Sequence, residues 1–256
     1  MAGWEIVLIF SAGLAAGVIN TLAGGGSLLT LPMLVFLGLP ASVANGTNRV
    51  AIWVQCVVSS WRFRREGFRH MGYSLKLAAP AVVGAIAGAQ LSIEISDVMF
   101  ERIFAVIMVM MVGFILWNPR VPESTQSHIE TMKRPWLSAL VFFLIGIYGG
   151  MIQAGVGYFL TAALVLIAGL DLVATASVKV LVIAVYTTFA LAVFIWNGEV
   201  DWLVAVVLSL GNGLGGWLGA KIALQKGEKW IRIALAVTVI VMALKMFDLL
   251  PVLPFE

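Results

Sequence analysis

The sequence predicts an all-α integral membrane protein. It is read as a polytopic helical bundle of two inverted repeats, with about eight full spans and two half-length segments. Three observations carry this reading. Of 256 residues, 61% are hydrophobic and only 11% charged, where an ordinary soluble domain carries about 25% charge. Apolar stretches of spanning length recur from end to end. The chain also aligns on itself at a shift of 130 to 131 residues, so it divides into two halves.

The elements follow in order. A first apolar run, 4–22, has no Lys or Arg before it, which argues against a cleaved signal peptide. It leads into a glycine-rich break, GVINTLAGGGS (17–27), and a short apolar piece, 27–38. Further spans are read at 43–61, 73–93 and 100–117. The second half repeats the plan. A span at 136–154 runs into the break GMIQAGVGY (150–158), a short piece follows at 158–168, and spans come at 174–196, 202–222 and 231–248. The pieces 27–38 and 158–168 are too short to span unaided. Trp4, Trp61, Trp117, Trp136, Trp196, Trp202 and Trp230 fall near span ends, as interface anchors do, while Trp53 and Trp217 fall inside. The domain expectation is repeat 1 over 1–117, a linker over 118–135 and repeat 2 over 136–256.

Self-alignment matches Gly24 with Gly155, Gly26 with Gly157, Thr30 with Thr161, Gly38 with Gly169, Gly84 with Gly215 and Gly88 with Gly219. It also sets Thr47 against Ser177, Arg49 against Lys179 and Arg102 against Arg232. Loop charge gives the relation between the halves. The loop 62–70 carries Arg62, Arg64, Arg65 and Arg69 against Glu66, whereas its partner 197–201 has Glu199 and Asp201 and no base. The bias reverses between the mostly acidic 94–102 and the basic 221–232. Basic loops stay cytoplasmic, so the repeats are expected to be inverted, with a cytoplasmic linker and both termini external.

Other classes lack support. The net charge of +3 resides in short loops between spans, without the basic groove of a nucleic-acid binder. Cys56 stands alone, so no intrachain disulfide forms. His70 and His128 fall in loops, and there is no HExxH, CxxC or acid pair inside a span. Neither an enzyme nor a cofactor or metal is expected.

The chemistry concentrates at the two breaks. Lipid cannot hydrogen-bond a broken backbone, so such breaks persist only where protein buries them or they line a cavity. A helix N-terminus presents free amides that favour an anion. Asn20, Thr21, Gly24, Gly25, Gly26 and Ser27 supply one half of the expected site, and Gln153, Gly155, Gly157 and Tyr158 the other. The competing reading, glycine as a means of close helix packing, is preferred for Gly84-xxx-Gly88 and Gly215-xxx-Gly219.

Arg49 precedes the basic loop by about 20 Å of helix, so its charge sits inside the membrane at about 2.5–3.5 kcal/mol on insertion scales. No acid occurs between Glu5 and Glu66, which leaves an anionic substrate as its partner. Lys179 is open to three readings: substrate contact, a pair with Asp171 two turns away, or snorkelling to the interface. Thr47, Asn48 and Ser177, beside these bases, complete the candidate substrate-binding set.

These residues resemble the sulfite exporter TauE/SafE family, also called the toluene sulfonate uptake permease family. The resemblance rests on GVINTLAGGGSLLTLP (17–32), GLP (38–40), ANGTNR (44–49), GIYGG (146–150), GVG (155–157), GLD (169–171) and Ala174–Lys179. It implies a multi-pass inner-membrane permease for sulfite, an organosulfonate or thiosulfate. Gln153-Ala154 departs from the smaller or aromatic residue expected there, a place to tune the substrate.

The expected function is export of a small sulfur oxyanion by alternating access around a central anion site. Its partners are that anion and the lipid bilayer, with no nucleic acid and homo-oligomerisation left open. A non-transporting membrane scaffold or assembly partner is the alternative. Acids cluster at span ends, so potential-driven uniport is the expected energetics, at about 2.3 kcal/mol per charge per 100 mV.

Overall fold

A computed structural model describes residues 3–68, 70–100, 102–104, 106–107 and 135–226. Eight helices organise them: α1 Gly3–Leu22, α2 Ser27–Phe36, α3 Ala41–Arg65, α4 Met71–Glu94, α5 Pro135–Met151, α6 Val156–Leu166, α7 Leu172–Trp196 and α8 Trp202–Lys226. Residues 97–100, 102–104 and 106–107 are helical as well, and Phe100 and Ile107 are buried. No strand occurs among the described residues. The linker, both termini, His128, Lys229, Arg232, Trp117, Trp230 and the span 231–248 lie outside the described residues.

Four helices, α1, α4, α7 and the stretch Trp202–Gln225 of α8, are long and apolar enough to cross a membrane. α3 is as long as α7, but Asn45, Asn48, Arg49, Gln55 and the terminal arginines dilute its apolarity. α2 and α6, of 10 and 11 residues, are the short pieces that follow the breaks. Trp4, Trp61, Trp136, Trp196 and Trp202 are exposed near helix ends.

Two long helices and the glycine turns of the second half repeat those of the first at an offset of 131. Helices α3 and α7 each have 25 residues and begin 131 positions apart; α4 and α8 begin 131 apart too. Gly24, Gly38 and Gly67 take positive φ angles of 100°, 91° and 94°, and the glycines 131 positions later, Gly155, Gly169 and Gly198, take 74°, 68° and 75°. A left-handed backbone at all six sites marks the same turns in both halves. This offset corrects two sequence matches. Lys179 is the counterpart of Asn48, and Arg49 that of Val180, while Ser177 answers to Gly46 and not to Thr47. Similar chemistry had drawn the alignment one residue out of register, which on a helix is a 100° turn.

Packing exchanges elements between the halves. α1 lies along α8 and α5 along α4, the two most extensive helix pairs, followed by α3 with α8 and α4 with α7. Both of the closest pairs run parallel, since Gly13 meets Leu208 where Gly17 meets Asn212, and Gly84 meets Phe143 where Gly88 meets Ile147. A Cβ on Gly84 would lie 2.1 Å from the Phe143 carbonyl oxygen and one on Gly215 would lie 2.2 Å from that of Leu14. These small-residue motifs are therefore packing surfaces, as small residues are throughout membrane bundles. α3 and α7 cross antiparallel: Trp53 Nε1 donates to Thr188 Oγ1 at 2.9 Å, and Ser60 and Ser177 line one cavity.

Candidate anion site

Each break is a short hydrogen-bonded turn. After α1, the amides of Ala23 and Gly24 both donate to the Ile19 carbonyl, at 2.6 and 3.0 Å. Asn20 Oδ1 then accepts from the Gly26 amide at 2.8 Å. Asn20 thus caps the break, and one of the amides expected to hold an anion is already engaged. After α5, Ile152 N donates to Tyr148 O at 2.9 Å, and the Tyr148 hydroxyl donates to Ala154 O. Gln153 has φ 67°, the one positive φ among described non-glycine residues. Tertiary contacts hold it there, as they must for a residue with a Cβ.

The two breaks lie against each other. A Cβ on Gly24 would stand 2.4 Å from Gly157 Cα, and one on Gly157 would stand 2.3 Å from Gly24 Cα. Beside this contact, the Tyr158 hydroxyl covers Gly25, where a Cβ would be 2.6 Å away. Ser27 begins α2 and is buried at 2% exposure.

Arg49 is wholly buried. Its Nη1 donates to Gly149 O at 2.9 Å and to Gln153 Oε1 at 3.3 Å, and its Nη2 donates to Gly150 O. The guanidinium stands 4.6 Å from the Phe194 ring centroid. Its partners are thus the last-turn carbonyls of α5 and not an acid, the position where a helix dipole favours a cation. Lys179, 1% exposed, does the converse: its Nζ donates to Leu22 O, the end of α1, at 3.4 Å. Each half's cation therefore reaches the broken helix of the other half. Asp171 is not a partner of Lys179. Its Oδ1 accepts from the amides of Val173 and Ala174 at 2.9 and 2.8 Å, as the N-cap of α7.

Buried donors near the breaks without an acceptor include Asn48 Nδ2, Arg49 Nε and Gln153 Nε2. The orientation of both amides follows from their partners. Asn48 Oδ1 accepts from Thr30 Oγ1 at 2.7 Å, and Gln153 Oε1 accepts from Arg49 and from the Tyr186 hydroxyl, the latter at 3.3 Å. A buried donor left unsatisfied costs about 1–3 kcal/mol.

The structure thus brings Arg49 to Gln153, Gly24 to Gly157, Gly25 to Tyr158 and Asn20 to Gly26. Three further expected residues are engaged in contacts of their own. Thr21 belongs to a buried network in which its Oγ1 meets Ser59 Oγ at 3.1 Å and accepts from Gln55 Nε2 at 2.8 Å. Thr47 Oγ1 accepts from the Asp201 amide at 2.9 Å, tying α3 to the α7–α8 loop. Ser177 lines a cavity at the arginine-bearing end of α3. Sequence reasoning missed Tyr186, Thr30 and Gln55, all buried polar positions inside helices, and Gln55 and Tyr186 are themselves 131 positions apart.

Broken helices meeting inside an apolar bundle, with buried cations at the joint, are the architecture of a membrane transporter. The chain belongs to the sulfite exporter TauE/SafE family, whose model matches residues 9–246. It is similar to the probable membrane transporter protein ORF9 of a Sinorhizobium species, at 28% identity over 94% of this chain and 92% of that one. The probable membrane transporter protein YfcA of Escherichia coli K12 is 27% identical over 93% of this chain and 88% of its own length. A probable membrane transporter protein of Haemophilus influenzae is 25% identical over 94% of both chains. No solved structure matches the chain.

Proposed function

We propose that this protein exports a small sulfur oxyanion (sulfite, an organosulfonate or thiosulfate) across the inner membrane by alternating access around the joint of its two breaks. One observation carries the reading: the unsatisfied donors of Asn48, Arg49 and Gln153 at that joint. An oxyanion supplies several acceptor oxygens and a negative charge to match. A scaffold has no use for buried donors that cost stability. Arg49 holds the end of α5 through its two Nη groups while its Nε edge stays unsatisfied, so anion binding and the position of the broken helix are coupled through one side chain.

The proposed frame is two inverted repeats, 1–117 and 136–256, joined by a cytoplasmic linker at 118–135, with about eight full spans and both termini external. The shared offset of 131, the parallel pairs α1–α8 and α4–α5, and the antiparallel α3–α7 crossing support it. Under inversion, Lys179 at the end of α1 and Arg49 at the end of α5 serve opposite faces of the membrane.

The test is calorimetric titration of the purified protein with sulfite, thiosulfate, sulfoacetate, taurine and sulfate. A sulfur oxyanion is expected to bind in saturable fashion, and Arg49→Gln to weaken it. Indifference to all five anions, in protein that is folded, would overturn the reading.

A further inference from the structure

We propose that the cavity between α3, α4 and α7 is a second ligand site, specific for an amphiphilic oxyanion: a sulfonate, sulfate or phosphate head on an apolar body. The cavity is partly open to the surface and has a volume of about 370 Å³. At about 30 Å³ per water it holds on the order of ten waters, more than a bare inorganic oxyanion fills. Its volume lies within the range of small-molecule pockets, about 300–1,000 Å³.

The lining divides by chemistry. Trp61, Phe68, Met71 and Leu181 give an apolar wall, while Arg64 supplies a cation, His70 an imidazole, and Ser60 and Ser177 hydroxyl groups. No carboxylate lines it among the described residues. Ser60 Oγ is buried without a partner. Of the three arginines in the last turns of α3, two are occupied. Arg62 pairs with Glu66 at 2.9 Å and stands 5.3 Å from the Trp217 ring centroid, and Arg65 lies 4.0 Å from that of Trp61. Arg64 has no ion pair or ring contact among the described residues, and it is the one that lines the cavity. A lone guanidinium above an apolar wall selects a ligand with both a charged head and a hydrocarbon part.

Two sources carry that chemistry: a soluble organic oxyanion, or an anionic phospholipid, since basic pockets between membrane helices at the interface bind lipid head groups. This site shares no lining residue with Arg49, Gln153 or the two breaks, so it stands whether or not the central site binds an anion.

The test measures binding of methane-, propane- and butanesulfonate to the full chain in phosphatidylcholine nanodiscs. Affinity is expected to rise about fourfold per methylene, the fold-change of about 0.8 kcal/mol per buried CH₂. Arg64→Gln is expected to weaken butanesulfonate at least tenfold, and Arg49→Gln to leave the chain-length dependence intact. Ser177→Leu, which fills the cavity without touching a charge, is expected to abolish that dependence. Adding phosphatidylglycerol separates the sources: Arg64-dependent competition assigns the site to lipid, and no competition assigns it to a soluble anion. Affinity that ignores both chain length and Arg64, with no Arg64-dependent competition by phosphatidylglycerol, would overturn the proposal.

Discussion

Gly24 and Gly157 meet backbone to backbone, so closely that a methyl group on either would stand 2.3–2.4 Å from the other's Cα. They belong to different halves of the chain, and this contact is where the two broken helices join. Gly24 also has φ 100°, so it is constrained by both conformation and space.

The two constraints separate experimentally. Gly38 has φ 91° but nothing within 4 Å of its missing Cβ. Gly38→Ala is expected to cost only the left-handed strain, roughly 1–2 kcal/mol. Gly24→Ala carries that strain plus a backbone collision, so it is expected to lower the thermal midpoint in detergent well beyond Gly38→Ala. Equal losses would mean that the breaks do not touch.

Arg49 combines a structural and a binding role. Arg49→Gln is expected to raise the Kd of the transported anion at least about tenfold, or 1.4 kcal/mol. It also frees the carbonyls of Gly149 and Gly150, so stability falls as well. Arg49→Lys keeps the charge and separates the effects. Binding is expected to recover in part, while the midpoint stays below that of the parent because one ammonium cannot reproduce a planar fork.

Gln153→Asn tests the donor next to it. Asn tolerates the positive φ of this position, but its amide is one methylene short of Arg49 and Tyr186. Stability is expected to fall by about 1–3 kcal/mol as the Arg49 and Tyr186 donors lose this acceptor, while anion affinity drops about tenfold. Titration and thermal melting on one preparation decide this.

Inverted topology is tested by labelling. On a Cys56→Ala background, a single cysteine at Glu66 is expected to react with an impermeant reagent only from the cytoplasmic side, and one at Asn197 only from outside. Labelling of both from one side would remove the inversion.

Energy coupling follows from where the acids sit. Arg49 and Lys179 have no carboxylate partner among the described residues, and Asp171 is committed to its N-cap. Flux in proteoliposomes is expected to follow an imposed potassium-diffusion potential at equal pH and without sodium, since each charge gains about 2.3 kcal/mol per 100 mV. Flux that ignores the potential and needs a proton or sodium gradient would exclude uniport.

The sequence by itself determined the class. Apolar runs, glycine breaks and repeated spacing are properties of one dimension, and continuous apolar runs of spanning length satisfy their own backbones as helices. The short pieces after the breaks and the packing glycines were legible for the same reason. Partners were not. That Arg49 caps α5 and Lys179 caps α1 depends on residues 100 and 157 positions away, and no local pattern encodes such a pairing. A pair with Asp171 is one of three readings the sequence leaves open for Lys179, and the nearer demand of two free helix amides claims that carboxylate. Thr21, Thr47 and Ser177 carry the chemistry of a site, and packing gives each of them contacts that no local pattern encodes. A one-residue register shift turns a helical side chain by 100°, so only tertiary packing decided which polar groups face the breaks.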